Sequence, residues 1–170
     1  MSVKQHKKEA PSTIRCVIIT VSDTRTKETD KSGNYIADML MKENHVIIDH
    51  FIVKDDTLKI KASVRHGMER EDVDVILTNG GTGIAKRDVT IETVTPLFDK
   101  EIPGFGELFR MLSYTEDIGS AAILSRAAAG VAENTAVFSI PGSSGAVKLA
   151  MSKLIIPEIP HVVREIKKDL

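Results

Sequence analysis

Cysteine is nearly missing from these 170 residues: Cys16 stands alone. No internal disulfide can form, and a reducing compartment, the cytoplasm, is expected. Inside the run Cys16-Val17-Ile18-Ile19-Thr20-Val21 the thiol reads as a buried, inert packing group. Long apolar runs are missing too. None approaches the ~18 residues of a membrane span, and the polar start, MSVKQHKKEAPST, lacks the apolar centre of a secretory signal. Residues 1–13 are expected to be a flexible arm that orders on a neighbouring subunit, ahead of a single domain over 14–170. Charge of one sign is also absent. The formal net charge is -1, with acids and bases interspersed. No basic field is available to attract nucleic acid or an anionic membrane, so an anionic ligand must be held by a local site. Repeats, low-complexity tracts and Pro/Gly/Ser-rich linkers are missing, which leaves one compact domain with a sizeable core. The histidines His6, His45, His50, His66 and His161 lack metal-ligand spacing and are expected to be structural or solvated.

What is present is an alternation. Short β-branched runs at Val17–Val21, Val46–Val53, Val73–Thr78 and Ala136–Ile140 predict strands. Between them, apolar residues recur at helical period: Ile36, Met39 and Leu40; Ile60, Val64 and Met68; Ile91, Val94 and Phe98; Phe105, Leu108, Phe109 and Leu112. Two further stripes close the chain, one of Val147, Ala150, Met151, Leu154 and Ile155, the other of Ile159, Val162, Val163 and Ile166. The alanine-rich segment Ala121–Ala132 is also expected to be helical. Each stripe reads as core packing. Strands this apolar suit burial on both faces, so the expected fold is α/β, a three-layer α/β/α sandwich with a mostly parallel sheet.

Polar chemistry collects after the strands. Ser22-Asp23-Thr24-Arg25 follows the first, Lys54-Asp55-Asp56 the second, Asn79-Gly80-Gly81-Thr82-Gly83 the third and Pro141-Gly142-Ser143-Ser144-Gly145 the last. In an open parallel sheet such loops leave from one edge, where ligands bind. Three glycines in four positions let backbone N–H groups approach an anion, and a helix start close behind would complete a phosphate cradle. The Gly-Lys-Ser/Thr ending of a Walker A loop is absent, as is the dinucleotide G-x-G-x-x-G. A plain strand-to-helix turn explains one or two of the glycines, and explains the third, with Thr82, Lys86 and Arg87, less well.

Asp55 and Asp88 could hold magnesium beside a phosphate, since that ion takes one or two carboxylates and completes its octahedron with phosphate oxygens and water. Each could instead cap a helix, Asp88 the one near Thr90 and Asp55 or Asp56 the one near Thr57. Sequence does not say which of the adjacent pair turns inward. Ser143 reads equally as a cap or as part of a second cradle. The turn Glu101-Ile102-Pro103-Gly104-Phe105-Gly106-Glu107 suits a flat heterocycle or, more plainly, a helix start.

Taken together, Val21-Ser22-Asp23-Thr24-Arg25, Asp30-Lys31-Ser32-Gly33, Thr78–Gly83 with Arg87-Asp88-Val89-Thr90, Pro103–Glu107, Leu124-Ser125-Arg126 and Pro141-Gly142-Ser143 resemble the molybdopterin-binding family of molybdenum cofactor biosynthesis proteins. The resemblance runs from about Arg15 to the C-terminus. It implies a mixed, mostly parallel sheet and a homo-oligomer, trimer or hexamer. It also implies Mg2+-dependent adenylylation of molybdopterin by ATP, with a molybdate-inserting pathway protein as a further partner. Carried over by position, Gly80, Gly81, Thr82 and Gly83 would grip the nucleotide. Asp55 and Asp88 would be the catalytic, magnesium-holding acids. Ser22, Asp23, Glu101, Gly104, Phe105, Gly106, Glu107 and Ser143 would shape the substrate pockets. Asn79 departs from the threonine or serine often found before the paired glycines. A non-catalytic molybdopterin carrier or scaffold is the rival reading, and a nucleotide-binding enzyme with another acceptor is a third.

Overall fold

A computed structural model describes residues 3–170. Six strands form one sheet in the order β2-β1-β3-β6-β5-β4. They are β1 (Arg15–Val21), β2 (Val46–Val53), β3 (Val75–Asn79), β4 (Lys100–Glu101), β5 (Ala128–Ala132) and β6 (Thr135–Ile140). Strands β2, β1, β3 and β6 are parallel, while β5 runs antiparallel to β6 and β4 antiparallel to β5. The carboxyl ends of β1, β2, β3, β4 and β6 therefore share one edge. Every residue of β3 and β6 is buried, which is why those strands are mainly apolar, and the Thr78 hydroxyl donates to Ser139 Oγ between them.

Helices cover both faces. One core packs α2 (Lys31–Lys42), α5 (Pro103–Glu116), α6 (Ser144–Ala150) and α7 (Ile156–Lys167) on Ile18, Leu77, Phe138 and Ala129. The other packs α3 (Thr57–Met68) and α4 (Thr90–Val94) on Val17, Ile19, Ile76 and Val137. This is the expected three-layer sandwich. The predicted apolar stripes supply the core through Ile36, Leu40, Ile60, Val64, Phe109, Met151, Ile155, Ile159 and Val163. Leu108 instead faces outward. Between α6 and α7 the helix widens into a π turn at Met151–Ile155, just before Pro157 and Pro160 remove two N–H donors from the ladder.

Two expectations fail. Ala121–Ala132 is not one helix: a 3-10 turn covers Gly119–Leu124, and Ala128–Ala132 form β5. Helix propensity favours alanine by only tenths of a kcal/mol per residue, and a strand partner plus a covering ring outweigh that. The ring is Phe98, packed so closely on Gly130 that a Cβ there would lie 2.4 Å from it. Phe98 in turn is not on a helix face, because α4 ends at Val94 and a 3-10 turn with Pro96 follows at Thr95–Leu97.

Within the segment expected to be an arm, Val3–Lys8 form helix α1, which Lys7–Glu158 and Glu9–Arg164 ion pairs tie to α7. Cys16 is fully buried, and burial, followed by the nearby charge of Asp74, pushes its thiol up to about 12. Its expected inertness follows. His45 is buried and accepts the Ile14 N–H at Nδ1, His66 is exposed and His161 pairs with Glu158. The side chain of His6 lies outside the described residues. Among the described residues no helix is long and apolar enough to cross a membrane.

Candidate functional site

The glycine loop after β3 is shaped by contacts no side chain could share. Gly80 and Gly81 have φ of +99° and +65°. A Cβ on Gly80 would stand 2.3 Å from the Val21 carbonyl oxygen, and one on Gly83 would stand 2.5 Å from Asp88 Oδ2. All four carbonyls of the loop are tied back. Gly80 O accepts from Thr90 Oγ1 (2.9 Å) and Gly81 O from the Thr90 N–H (2.9 Å). Thr82 O and Gly83 O accept from Arg126 Nε (2.9 Å) and Nη2 (2.7 Å). The Gly80 N–H is spent on Ile140 O. Among the described residues no acceptor is bonded to the N–H groups of Gly81, Thr82 or Gly83. A loop with its acceptors engaged and its donors bare is an anion cradle.

The carboxylates sort themselves by local bonding. Asp56 caps α3, accepting the Lys59 N–H at 2.9 Å. Asp55 is thereby left facing the glycine loop, where a Cβ on Gly81 would lie 2.7 Å from its Oδ1. Asp88 is not a helix cap either. It accepts the Ala85 N–H at 3.0 Å, and the residue at the start of α4 is Val89. Ser22 Oγ accepts the N–H groups of Thr24 and Arg25, closing a turn that presents Asp23 to an ion pair with Arg87. Burial pushes the Asp55 carboxyl up, the charges of Asp23 and Asp88 push the same way, and Arg87 pulls it back. These four side chains therefore share one electrostatic neighbourhood.

Among the described residues no three His, Cys, Asp or Glu side chains converge into a ready metal cage. A carboxylate pushed up by burial and by its acidic neighbours, beside a bare-amide cradle, suits a cation that arrives with phosphate oxygens of its own. On that donor chemistry Asp55 and Asp88, with Asp23 beside them, fit magnesium.

The other expected residues lie along the same edge. Ser143 caps α6, accepting the Ala146 N–H at 3.3 Å, so its hydroxyl serves the cap. The Glu101–Glu107 turn leaves β4 three strands from β3, about 14 Å at normal strand spacing. Glu101, Gly106 and Glu107 line a cleft of about 270 Å³ with Arg110, Ile91 and Thr95. Nothing crowds Gly104, whereas Gly106 packs on the Ala127 carbonyl. Phe105 is a correction. Its ring is 7% exposed and sits edge-on to Phe138 in the core, so it cannot stack on a ligand. A larger cavity, about 600 Å³, lies between α7 and the Glu133–Asn134 turn, at the amino end of β6, and meets the Glu101–Glu107 turn only at Ile102.

Sequence reasoning gave no site role to Arg126 or Thr90, which hold the glycine loop, or to Arg25, Asp30 and Asn79 beneath it; His50, expected to be structural or solvated, is structural, with Nε2 3.1 Å from Asp30 Oδ2. All but His50 stand in the stretches that carry the family resemblance, and Arg25 and Asn79 stand also in the polar loops that follow the first and third strands.

A bare-amide loop flanked by carboxylates lies at the carboxyl edge of a mostly parallel sheet between two helical layers, the edge at which open α/β sheets carry their ligands. The chain belongs to the molybdopterin-binding family: residues 17–161 match the family described as "Probable molybdopterin binding domain". It is 66% identical to molybdenum cofactor biosynthesis protein B of Bacillus subtilis over 169 residues, 99% of each chain. A crystal structure of a molybdenum cofactor biosynthesis protein B superposes with a TM-score of 0.91 at 59% identity, covering 94% of this chain and 99% of that one. The tungsten cofactor synthesizing protein MoaB from Pyrococcus furiosus gives 0.83 at 39% identity, covering 93% and 99%.

Proposed function

We propose that the chain acts in molybdenum cofactor biosynthesis by adenylylating molybdopterin with Mg-ATP. The observation that carries this reading is the glycine loop, whose carbonyls are engaged and whose three N–H groups are bare beside Asp55 and Asp88. The N–H groups of Gly81, Thr82 and Gly83 would hold phosphate oxygens of ATP. The terminal phosphate oxygen of molybdopterin attacks the α-phosphorus. A new P–O–P link forms, the bond to the β-phosphate bridging oxygen breaks, and pyrophosphate leaves. A phosphate monoester with a second pKa near 6 is mostly dianionic at pH 7, so no general base is needed. The task is alignment and charge neutralisation. Magnesium, held by Asp55 and Asp88, would supply that neutralisation across the phosphates. The same reading places the protein in the cytoplasm as a trimer or hexamer that hands its product to a molybdate-inserting protein.

The test uses purified protein with molybdopterin, magnesium and ATP labelled in the α-phosphate, beside Asp55→Asn and Asp88→Asn. Label in adenylylated pterin, lost in both variants, is expected. Molybdopterin binding without label transfer would make the protein a carrier or scaffold instead.

A further inference from the structure

Beneath the glycine loop lies a chain of buried polar side chains that the reaction above does not use. Thr20, Asp30, Ser32 and Asn79 are at most 2% exposed. Asp30 starts α2, accepts the Gly33 N–H at 3.0 Å, and takes the Thr20 hydroxyl at 2.6 Å and His50 Nε2 at 3.1 Å. Burial alone would push its carboxyl up, but those donors hold it below its ordinary value. Asn79 Nδ2 donates to Thr20 Oγ1 (3.0 Å), and Ser32 Oγ donates to Asn79 Oδ1 (2.8 Å). Ser32 accepts from Arg25 Nη1, and Arg25 Nη2 reaches across to the Gly142 carbonyl at 3.1 Å. Asp30 Oδ1 stands 3.6 Å from the same guanidinium. Gly33 makes room for the assembly, since a Cβ there would lie 2.2 Å from Asp30, 2.5 Å from His50 and 2.6 Å from Thr20.

Such a network is a poor way to gain stability. A buried carboxylate and three buried polar side chains cost desolvation that well-packed apolar residues would avoid. What the network does is geometric. It begins on α2 and β2 and fixes Asn79, the residue before Gly80. It ends on Gly142, where a Cβ would lie 3.2 Å from the Cα of Gly80. The loops after β1, β3 and β6 are thus fastened at one point, directly behind the bare N–H groups.

We propose that Arg25 is a positioning residue which, backed by Asp30, Ser32 and Asn79, sets the spacing between the glycine loop and the Pro141–Gly145 loop and so preforms the phosphate cradle. This rests on the nucleotide reading above for its ligand, but not for its geometry. Arginine suits the task because one planar fork spans two acceptors, which a lysine cannot.

The experiment compares the full chain with Arg25→Gln and Arg25→Lys in two readouts. The first is amide hydrogen exchange at Gly80, whose N–H bonds Ile140 O at 3.0 Å behind the cradle. The second is the Kd for Mg-ATP. Both variants should exchange Gly80 at least tenfold faster while amides in β1 keep their rates. Both should also bind Mg-ATP at least tenfold more weakly, because a cradle displaced by an ångström no longer matches its ligand. Asp74→Asn, at the opposite edge of the sheet, serves as the destabilised control: it should lower the melting temperature and leave the Mg-ATP Kd within twofold. Unchanged exchange at Gly80 in Arg25→Gln overturns the proposal whatever the nucleotide does. An Mg-ATP affinity that falls equally in Asp74→Asn and Arg25→Gln also overturns it, by making Arg25 an ordinary stabilising contact. A wild-type chain that binds no Mg-ATP sinks the adenylylation reading instead, and Gly80 exchange alone then decides the spacing role.

Discussion

The carboxylate of Asp55 and the backbone of Gly81 leave no room between them: a methyl group on Gly81 would stand 2.7 Å from Asp55 Oδ1 and 2.4 Å from Thr90 Oγ1. The absence of a side chain at residue 81 is thus what lets an acidic group approach the cradle. At φ +65° alanine would add backbone strain of about 1–2 kcal/mol. Gly81→Ala should lower the melting temperature by roughly 2–8 °C. AMP transfer should fall by at least about 100-fold, a larger effect than the stability loss alone produces. Label transfer measured well below the variant's melting point separates the two. Transfer within a few-fold of wild type would show that Asp55 need not sit where it does.

Asp55 itself is held at a cost in stability. Burial first, then Asp23 and Asp88, raise its pKa above the unfolded value. A raised acid binds protons more readily when folded, so stability falls as pH rises through the unfolded and then the folded pKa. Below both, the penalty is gone. Asp55→Asn should therefore make the protein more stable than wild type at pH 7, with the difference vanishing as the pH is lowered below about 4. Magnesium with ATP should raise the wild-type melting temperature more than that of Asp55→Asn. Thermal melts at several pH values, with and without Mg-ATP, check both. A variant less stable than wild type at pH 7 would refute the crowding of carboxylates.

Arg126 is the far support of the loop. Its Nε and Nη2 reach the Thr82 and Gly83 carbonyls while Glu92 holds the guanidinium from the other side. Without it, both carbonyls lose their donors and the bare N–H groups lose their fixed direction. Arg126→Ala should weaken Mg-ATP binding by roughly 10- to 100-fold, in keeping with the ~1.5–3 kcal/mol of a hydrogen bond to a charged group. Titration calorimetry gives the affinity, and an unchanged Kd would mean that Thr90 suffices to shape the loop.

The strands β1, β3 and β6 are legible in the sequence because burial on both faces demands apolar runs, the half-buried edge strand β2 because its run is β-branched, and all four following loops carry glycines or acids that punctuate them. β5 is not legible. Its Ala128-Ala129-Gly130 run is small because Phe98 lies on Gly130, a long-range fact that no local pattern contains. β4 has two residues and exists only as a partner for β5. In the site, sequence could place Asp55 and Asp56 on the right edge but could not choose between them, because the choice is made by the Lys59 N–H that Asp56 caps. Phe105 looked available to a ligand because it follows Pro103 and Gly104, yet it starts the buried face of α5. The polar network under Asn79 was invisible for a different reason: its members lie on β1, the start of α2, β2 and β3, and only the fold brings them together.

At the opposite edge of the sheet, Asp74 offers a test of the fold independent of any ligand. It is 4% exposed and accepts from the Arg15 backbone N–H (2.9 Å), from Arg15 Nε and Nη2 (3.0 and 2.8 Å) and from Lys167 near the end of α7. Burial would push the carboxyl up, but Arg15 and Lys167 override it and hold the pKa at about 2 against an ordinary 3.8. A depressed acid contributes stability that is fully present above the unfolded pKa and is lost as pH falls through the folded one. A shift of this size corresponds to about 2 kcal/mol, and screening at the half-exposed Arg15 and Lys167 reduces it to about 1–2 kcal/mol. Wild type should therefore lose stability between about pH 4 and pH 2 through this group. Asp74→Asn should be less stable by about 1–2 kcal/mol at pH 7, with a gap that narrows toward pH 2. Urea titrations at pH 7 and at low pH measure it. A gap that stays constant with pH would show that packing, rather than the charge of Asp74, joins β1 to the end of α7.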